Sequence, residues 1–391
     1  MKKILGLLLA LCLIVGCTSA FAAGIPVEQV KIGYITIGDE NEGYSANHLN
    51  GLKEAQKALG ISDDQVLCKY NVPETEAAYE AAIDLAEQGC NIIFATSFGH
   101  ESYLFQAAEE YPNIQFCHAT GTAAMSSPLN NVHNYFYAVY ESRYVSGVVA
   151  GMKLAQMIED GTITADAAKI GYVGAFPFAE VISGFTSFFL GARSQCPSVT
   201  MEVRYTNSWA DMALEKETAE ALIADGCVLI SQHADTTGAP SACEAAGVPC
   251  VGYNISMLPV APNTALTSAA GDWGAYVTYA VKCLIDGEEI DRDWCKGYAE
   301  GAVYTTELND SIVAPGTAEK VAELEAGFKA GTVKVFDTSA FTVNGETLTS
   351  YTTAYGLDGI EMVSDGEFHE SSVRSAPYFD ILIDGITAVV E

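Results

Sequence analysis

The chain has 391 residues, of which 49% are hydrophobic, and carries 50 acidic against 19 basic residues for a formal charge of −31. That length is long for one small domain and comfortable for two, and the apolar fraction suffices for real cores. So acidic a surface repels nucleic acid and anionic lipid over most of its area and suits a neutral or cationic small molecule as partner.

The first 22 residues read as a targeting segment. Lys2 and Lys3 form its positive start, and Ile4 to Val15 is an apolar run too short to span a bilayer. Two processing signals compete. Ile14-Val15-Gly16-Cys17 has the form of a lipobox with Cys17 as the lipidated residue, and Ala20-Phe21-Ala22 has the small-x-small form of ordinary cleavage. The expectation is an exported, extracytoplasmic protein. It is anchored to the cell membrane if Cys17 is lipidated, and otherwise secreted or periplasmic after cleavage at Ala22. No later run approaches the roughly 18 apolar residues of a membrane span. Nine cysteines follow the segment, with neither CxxC nor zinc spacing. They read as small buried hydrophobes. Cys243 with Cys250, and Cys283 with Cys295, are the pairs that an oxidising compartment would allow.

Strand and helix then alternate. Lys31 to Ile37 reads as a strand and Ala46 to Leu59 as a helix. Gln65 to Tyr70, Asn91 to Thr96 and Ile114 to His118 read as strands, with helices over Glu74 to Gln88 and Ser102 to Glu110. Such alternation implies a parallel sheet with helices on both faces. Tyr140 to Ile158 is a long helix, after which the pattern restarts. Lys31-Ile32-Gly33-Tyr34 recurs as Lys169-Ile170-Gly171-Tyr172, 138 positions later. Gly89-Cys90 recurs as Gly226-Cys227 at an offset of 137, and Lys69-Tyr70 corresponds to Arg204-Tyr205 at 135. Three landmarks at nearly one offset imply two copies of a doubly wound α/β lobe. After Asn309, Tyr351, Tyr355 and the acidic residues around Asp365 read as strands and turns that complete the second lobe.

Ligands of open parallel sheets bind beyond the carboxyl ends of the strands. The loops there hold Gly38 to Ser45, Ser97-Phe98-Gly99-His100, His118 to Gly121, Gly174 to Pro177, Thr206 to Asp211, Gln232 to Asp235 and Gly252-Tyr253-Asn254, with Asp272-Trp273 opening a late helix. Aromatic faces suit flat ligands such as purines, and also sugars. Asn offers a donor and an acceptor to a heterocycle edge, and Asp accepts two hydrogens. The candidate contacts are therefore Tyr44, Phe98, Phe176, Asn207, Trp209, Asp235, Asn254 and Trp273. His118, His233 and Tyr253 are candidates for support or hinge roles. Each has a structural counterpart: Tyr44 caps a core, Trp209 packs between loop and lobe, Asn207 forms a turn, Asp211 caps a helix, and His233 bonds Asp235 at a hinge. Catalytic signatures do not appear. Tyr44-Ser45 stands where a phosphate loop needs Lys-Ser/Thr, and there is no G-x-G-x-x-G after the first strand, no G-x-S-x-G and no H-E-x-x-H. No enzyme, metal or cofactor is expected.

Further segments join these loops: Ile93 to Gly99, Glu110 to Asn113, Tyr140 to Tyr144 with Gly147 and Gly151, Phe176-Pro177, Leu190 to Arg193, Thr206 to Trp209, Gln232 to Asp235, and Leu266 to Ser268. Together, from about Lys31 to about Asn309, they resemble the basic membrane protein family of ABC-transporter binding lipoproteins, and within it the purine-binding branch. The resemblance implies a type I periplasmic-binding fold, two doubly wound lobes joined by three crossovers. On that pattern the first lobe covers 28–140 plus about 256–290, and the second 141–255 plus about 291–391. It also implies a purine nucleobase or nucleoside as ligand and an ABC permease and ATPase as partners. A monomer is expected. Tyr44 occupies the position of the family's stacking aromatic, where the close branch usually has Trp. Asn254 stands where the branch often has Asp. A sugar-binding protein of the same fold, a sensor that reports to a membrane receptor and a secreted nucleoside-acting enzyme are the competing readings.

Overall fold

A computed structural model of the chain describes residues 24–354 and 357–389. The targeting segment with Cys17, and Tyr355, lie outside the described residues.

The first lobe runs through β1 (Ile32–Ile35), α1 (Gly43–Leu59), β2 (Val66–Lys69), α2 (Glu76–Glu87), β3 (Ile92–Ala95), α3 (Glu101–Glu110), β4 (Gln115–Ala119) and β5 (Val132–Tyr137). The chain then crosses into α4 (Val139–Glu159), β6 (Lys169–Gly174), α5 (Ala179–Gln195), β7 (Thr200–Tyr205), α6 (Met212–Ala224), β8 (Leu229–His233), α7 (Gly238–Ala246), β9 (Cys250–Tyr253) and β10 (Ala265–Gly271). It returns to the first lobe for α8 (Trp273–Asp286) and β11 (Asp293–Lys296). The second lobe receives the rest: β12 (Val303–Thr305), α9 (Thr317–Lys329), the hairpin β13 (Val363–Ser364) and β14 (Glu367–Phe368), and β15 (Ile386–Val389).

The sheet orders are β11-β5-β4-β3-β1-β2 and β12-β10-β9-β8-β6-β7-β15. Every pairing in them is parallel except β10 with β12. Without the flanking strands the two orders are the same, β5-β4-β3-β1-β2 against β10-β9-β8-β6-β7. The copy extends to single backbone angles. Gly89 and Gly226 both have φ of 87°, Asn71 and Asn207 both 54°, and Thr120 and Asn254 have 64° and 65°. These pairs sit at equivalent bends around β2 and β7, β3 and β8, and β4 and β9.

Two lobe boundaries differ from expectation. β10 pairs with β9 in the second sheet, so the chain returns to the first lobe after Gly271 and not near 256. β11 pairs with β5 in the first sheet, so the last crossing follows Lys296 and not 290. The region after Asn309 also departs from strands and turns alone, because α9 precedes them. The nine described cysteines are free thiols, so neither candidate pair is bridged.

The apolar faces explain the layers. One buried cluster runs continuously through both lobes, from Ile32, Tyr34 and Phe94 through Tyr137, Val139 and Trp273 to Ile170, Phe185 and Phe188. Separate clusters back the outer faces, around Leu85, Ile93 and Leu104 in the first lobe and Leu222, Ile230 and Cys243 in the second. Helices α4 and α5 approach so closely that a Cβ on Gly147 would lie 2.0 Å from the Phe188 carbonyl, and one on Gly191 2.1 Å from that of Tyr144. No helix among the described residues is long and apolar enough to cross a membrane.

Gly171, from the repeated Lys-Ile-Gly-Tyr, is tightly enclosed: a Cβ there would lie 2.6 Å from Ile230 Cδ1 and 2.9 Å from Leu222 Cβ. Overpacking of this kind costs about 1–3 kcal/mol. Gly171→Ala is therefore expected to lower the unfolding free energy by that amount, read as a lower urea midpoint with an unchanged m-value.

Candidate ligand site between the lobes

The carboxyl ends of both sheets face one cavity of about 100 Å³. Ile37, Gly38, Glu42, Tyr44, Ser97, Phe98 and Thr120 line it from the first lobe, and Glu180, Trp209, Ala210, His233, Asp235 and Tyr253 from the second. The lobes are closed on it. A Cβ on Gly43 would stand 2.9 Å from the Asp235 carbonyl across the gap. At the mouth the Phe98 and Phe178 rings, each 42% exposed, meet with centroids 5.7 Å apart.

Local sequence fixes each wall. Glu42 caps α1: its carboxylate accepts from the amides of Tyr44 at 2.6 Å and Ser45 at 2.8 Å, the bonding that an N-terminus favours. Tyr44 is held by its hydroxyl, which donates to the Thr96 carbonyl at 2.5 Å. Its ring meets His48 edge-on at 4.6 Å and Trp273 at 5.9 Å. The His118 Nε2 group donates to the Ser97 carbonyl at 2.7 Å, behind Ser97 and Phe98. In the second lobe the Asp235 amide donates to the Trp209 carbonyl at 2.8 Å, so the two loops are tied. Gln232 Nε2 braces the same loop through the carbonyls of Ala234 and Thr236 at 2.8 and 2.9 Å.

Three carboxyl groups reach the cavity, from both lobes. Burial pushes Asp235 well above the usual carboxylate range, and Glu42, Glu215 and Glu180 push it further, against the opposing bond from Asn254. Burial raises Glu180 to about 7, offset in part by Arg143, and it also raises Glu42. His233 is held neutral by burial and by Arg143; its Nε2 lies 3.4 Å from Glu180 Oε1. Arg143 is itself buried, with its guanidinium 3.7 Å from the Tyr253 ring centre and Nη1 donating to the Gln232 carbonyl at 2.7 Å. The wall therefore offers carboxyl groups that accept hydrogen bonds, and that donate as well when protonated.

Of the residues singled out from the sequence, Tyr44, Phe98, Trp209 and Asp235 are in the wall. Four others are not. Trp273 is 1% exposed and stacks on His48 at 4.0 Å, behind Tyr44, because Asp272 caps α8 and turns the indole inward. Phe176 stacks on Phe178 at 5.1 Å and meets Trp209 edge-on at 5.2 Å, outside the cavity wall. Asn207 is exposed at a left-handed bend. Asn254 is buried at the equivalent of the Thr120 bend, and its side chain donates to Asp235 Oδ1 at 2.8 Å. His233 and Tyr253, expected in supporting roles, line the cavity directly, and His233 bonds Glu180, not Asp235. Glu42, Ser97, Thr120 and Glu180 were not singled out. The position of Glu42 in the loop between β1 and α1 was a usable signal. Glu180 carried only a weak one, since an acid in a helix's first turn ordinarily serves the dipole.

Two closed α/β lobes with a solute-sized cavity at the strand ends of both sheets define a solute-binding protein of the type I periplasmic fold. Solved structures agree on the fold. An ABC transporter system solute-binding protein from Aeropyrum pernix K1 matches with a TM-score of 0.65 at 18% identity, over 78% of this chain and 93% of its own. One from Conexibacter woesei matches with a TM-score of 0.58 at 20% identity, over 78% and 98%. Residues 34–327 match the family described as ABC transporter substrate-binding protein PnrA-like, or Bmp. A purine-binding protein of Brucella abortus is 33% identical over 311 residues, 79% of this chain and 83% of that protein. A putative ABC transporter glucose-binding protein of Haloferax volcanii, TsgA13, is 32% identical over 68% of this chain and 64% of that protein. The chain belongs to the PnrA-like family and is an ABC-transporter substrate-binding protein.

Gly43 gives a handle on closure. Gly43 is the first residue of α1, where alanine is at least as good a helix former as glycine, yet the added methyl would strike the Asp235 carbonyl only when the lobes meet. Gly43→Ala is expected to leave the melting temperature of the ligand-free protein unchanged or raised. It is expected to weaken solute binding about tenfold, read by calorimetry.

Proposed function

We propose that this protein captures a purine nucleobase or nucleoside in the interlobe cavity and delivers it to an ABC permease and its ATPase outside the cytoplasm. The observation that carries the reading is the pairing of rings with carboxyl groups in one small space. Tyr44, Phe98, Trp209 and Tyr253 supply aromatic wall from both lobes, and Glu42, Glu180 and Asp235 supply the polar edge. A flat heterocycle presents π-faces to the first set and ring N–H, exocyclic amine and ring nitrogen to the second. A carboxyl group that is protonated near neutrality, as burial makes Glu180 at about 7, matches an edge that alternates donor and acceptor. The cavity of about 100 Å³ is well below the roughly 300 Å³ at which drug-sized sites begin, which favours the base over the nucleoside. The purine-binding relative from Brucella supports the same ligand class.

A sugar is the second reading, favoured by the glucose-binding name of the Haloferax relative and by the suitability of rings and carboxylates for pyranoses. Export through the targeting segment, with Cys17 as lipid anchor or cleavage at Ala22, completes the proposal.

Calorimetry on refolded residues 23–391 with adenine, guanine, hypoxanthine, their nucleosides and common sugars tests it. Saturable micromolar or tighter binding of a purine is expected, with the ligand recovered unchanged. Tyr44→Ala is expected to weaken it about 10- to 100-fold. Binding of a sugar alone would replace the purine reading with the second one.

A further inference from the structure

Beyond α9 and the segment matched to the family, the described residues 330–354 and 357–389 form a tail with little regular structure apart from β13, β14 and β15. Two acidic groups outside the cavity are engaged by this tail. Glu370, 7% exposed, accepts four hydrogen bonds. Three come from the tail itself, the amides of Ser371 at 3.2 Å, Tyr378 at 2.7 Å and Phe379 at 3.0 Å. The fourth comes from the Ser183 hydroxyl at 2.8 Å. One carboxyl group thus folds 370–379 into a closed loop and fixes that loop to α5. Arg374 stiffens the loop. Its guanidinium lies 3.6 Å from the Tyr378 ring centre and donates to the carbonyls of Ala376 and Pro377 at 3.1 and 3.0 Å.

The loop also reaches the other lobe. The Ser375 amide donates to Asp293 Oδ1 at 2.9 Å, and Asp293 lies on β11, the edge strand of the first sheet. The Tyr140 hydroxyl, just past the first crossover, donates to the Glu370 carbonyl at 3.4 Å. Ser183 is three residues beyond Glu180 on α5, one helical turn from the cavity wall.

We propose that residues 370–379 are a non-covalent fourth tie between the lobes, which holds α5, and with it Glu180, in register with the first lobe. Asp293 and Glu370 are then positioning residues for solute retention, although neither touches the cavity. Three covalent crossovers leave the lobes free to turn about the hinge. A loop bonded to β11 on one side and to α5 on the other opposes that turn. The effect on retention rests on the solute-binding reading above; the restraint on α5 does not.

The test compares Asp293→Ala with Asp293→Asn, which keeps an oxygen to accept the Ser375 amide, in the full mature chain. The first readout is hydrogen exchange of the ligand-free protein at Val181 and Ile182, whose amides bond the Phe178 carbonyl at 3.0 Å at the start of α5. Faster exchange in Asp293→Ala, by about 3- to 10-fold, with wild-type exchange in Asp293→Asn, is expected. The second readout is dissociation of the purine that binds most tightly, expected to speed up by a similar factor in Asp293→Ala alone. Ser183→Ala removes the other attachment and is expected to reproduce both effects. Unchanged exchange at Val181 and Ile182 in both alanine variants, or equal changes in Asp293→Ala and Asp293→Asn, would overturn the tie. Failure of every purine to bind would leave the exchange result to decide it.

Discussion

Closure brings carboxyl groups from both lobes into one enclosed space, and the rest of the site is arranged around that constraint. Glu42 arrives from one lobe, Glu180 and Asp235 from the other, and they share a cavity of about 100 Å³. Each is buried in the closed form, and Glu42 and Glu180 raise the cost of ionising Asp235. Like charges at short range in a poorly solvated space repel strongly. An empty closed cleft therefore carries an electrostatic cost, relieved by proton uptake or by a solute that presents hydrogen-bond donors. The surrounding bonds keep the groups from turning away: the α1 amides hold Glu42, and Asn254 holds Asp235. Selectivity and closure thus have one physical origin.

The duplicated fold makes this arrangement possible. Two sheets of the same strand order point their carboxyl ends at each other, so each copy contributes equivalent loops. The equivalence is visible at Thr120 and Asn254, which occupy the same left-handed bend. Thr120 lines the cavity, whereas Asn254 has become the support for Asp235. The second lobe has gained α9, the tail and β15 beyond the repeat. The continuous buried cluster through Tyr137, Val139 and Trp273 gives the hinge a packed core. That favours rigid lobes turning about short crossovers over a loose pair of domains.

Much of this was legible in the sequence. The alternation and the 31-to-169 repeat gave two doubly wound lobes, and the rule that ligands sit beyond the strand ends picked out Tyr44, Phe98, Trp209 and Asp235. What was not legible has physical reasons. Trp273 also follows a strand, but its direction is set by the Asp272 cap and by the stack on His48, both tertiary facts. Asn207 and Asn254 have the polar character of contacts; Asn207 was also open to a turn role, but the left-handed backbone that both adopt is seen only in the structure. The Ala265–Gly271 strand is built of small residues with little β signature, so its sheet, and with it the lobe boundary, could not be assigned. Glu180 is hidden because its ordinary helix-start role and its cavity role occupy the same position. The tail reads as strands and turns, but what holds it in place was not legible, because its order rests on long-range bonds to Ser183, Arg193 and Asp293.

Two rigid lobes that shut on a purine through groups from both sides would make the molecule more compact on binding. Small-angle scattering of the refolded protein, with and without a saturating purine, tests it most directly. The ligand-free protein is expected to have a larger radius of gyration, which falls on addition of the ligand to the value calculated for the closed structure. Saturation of the site with no change in that radius would contradict it.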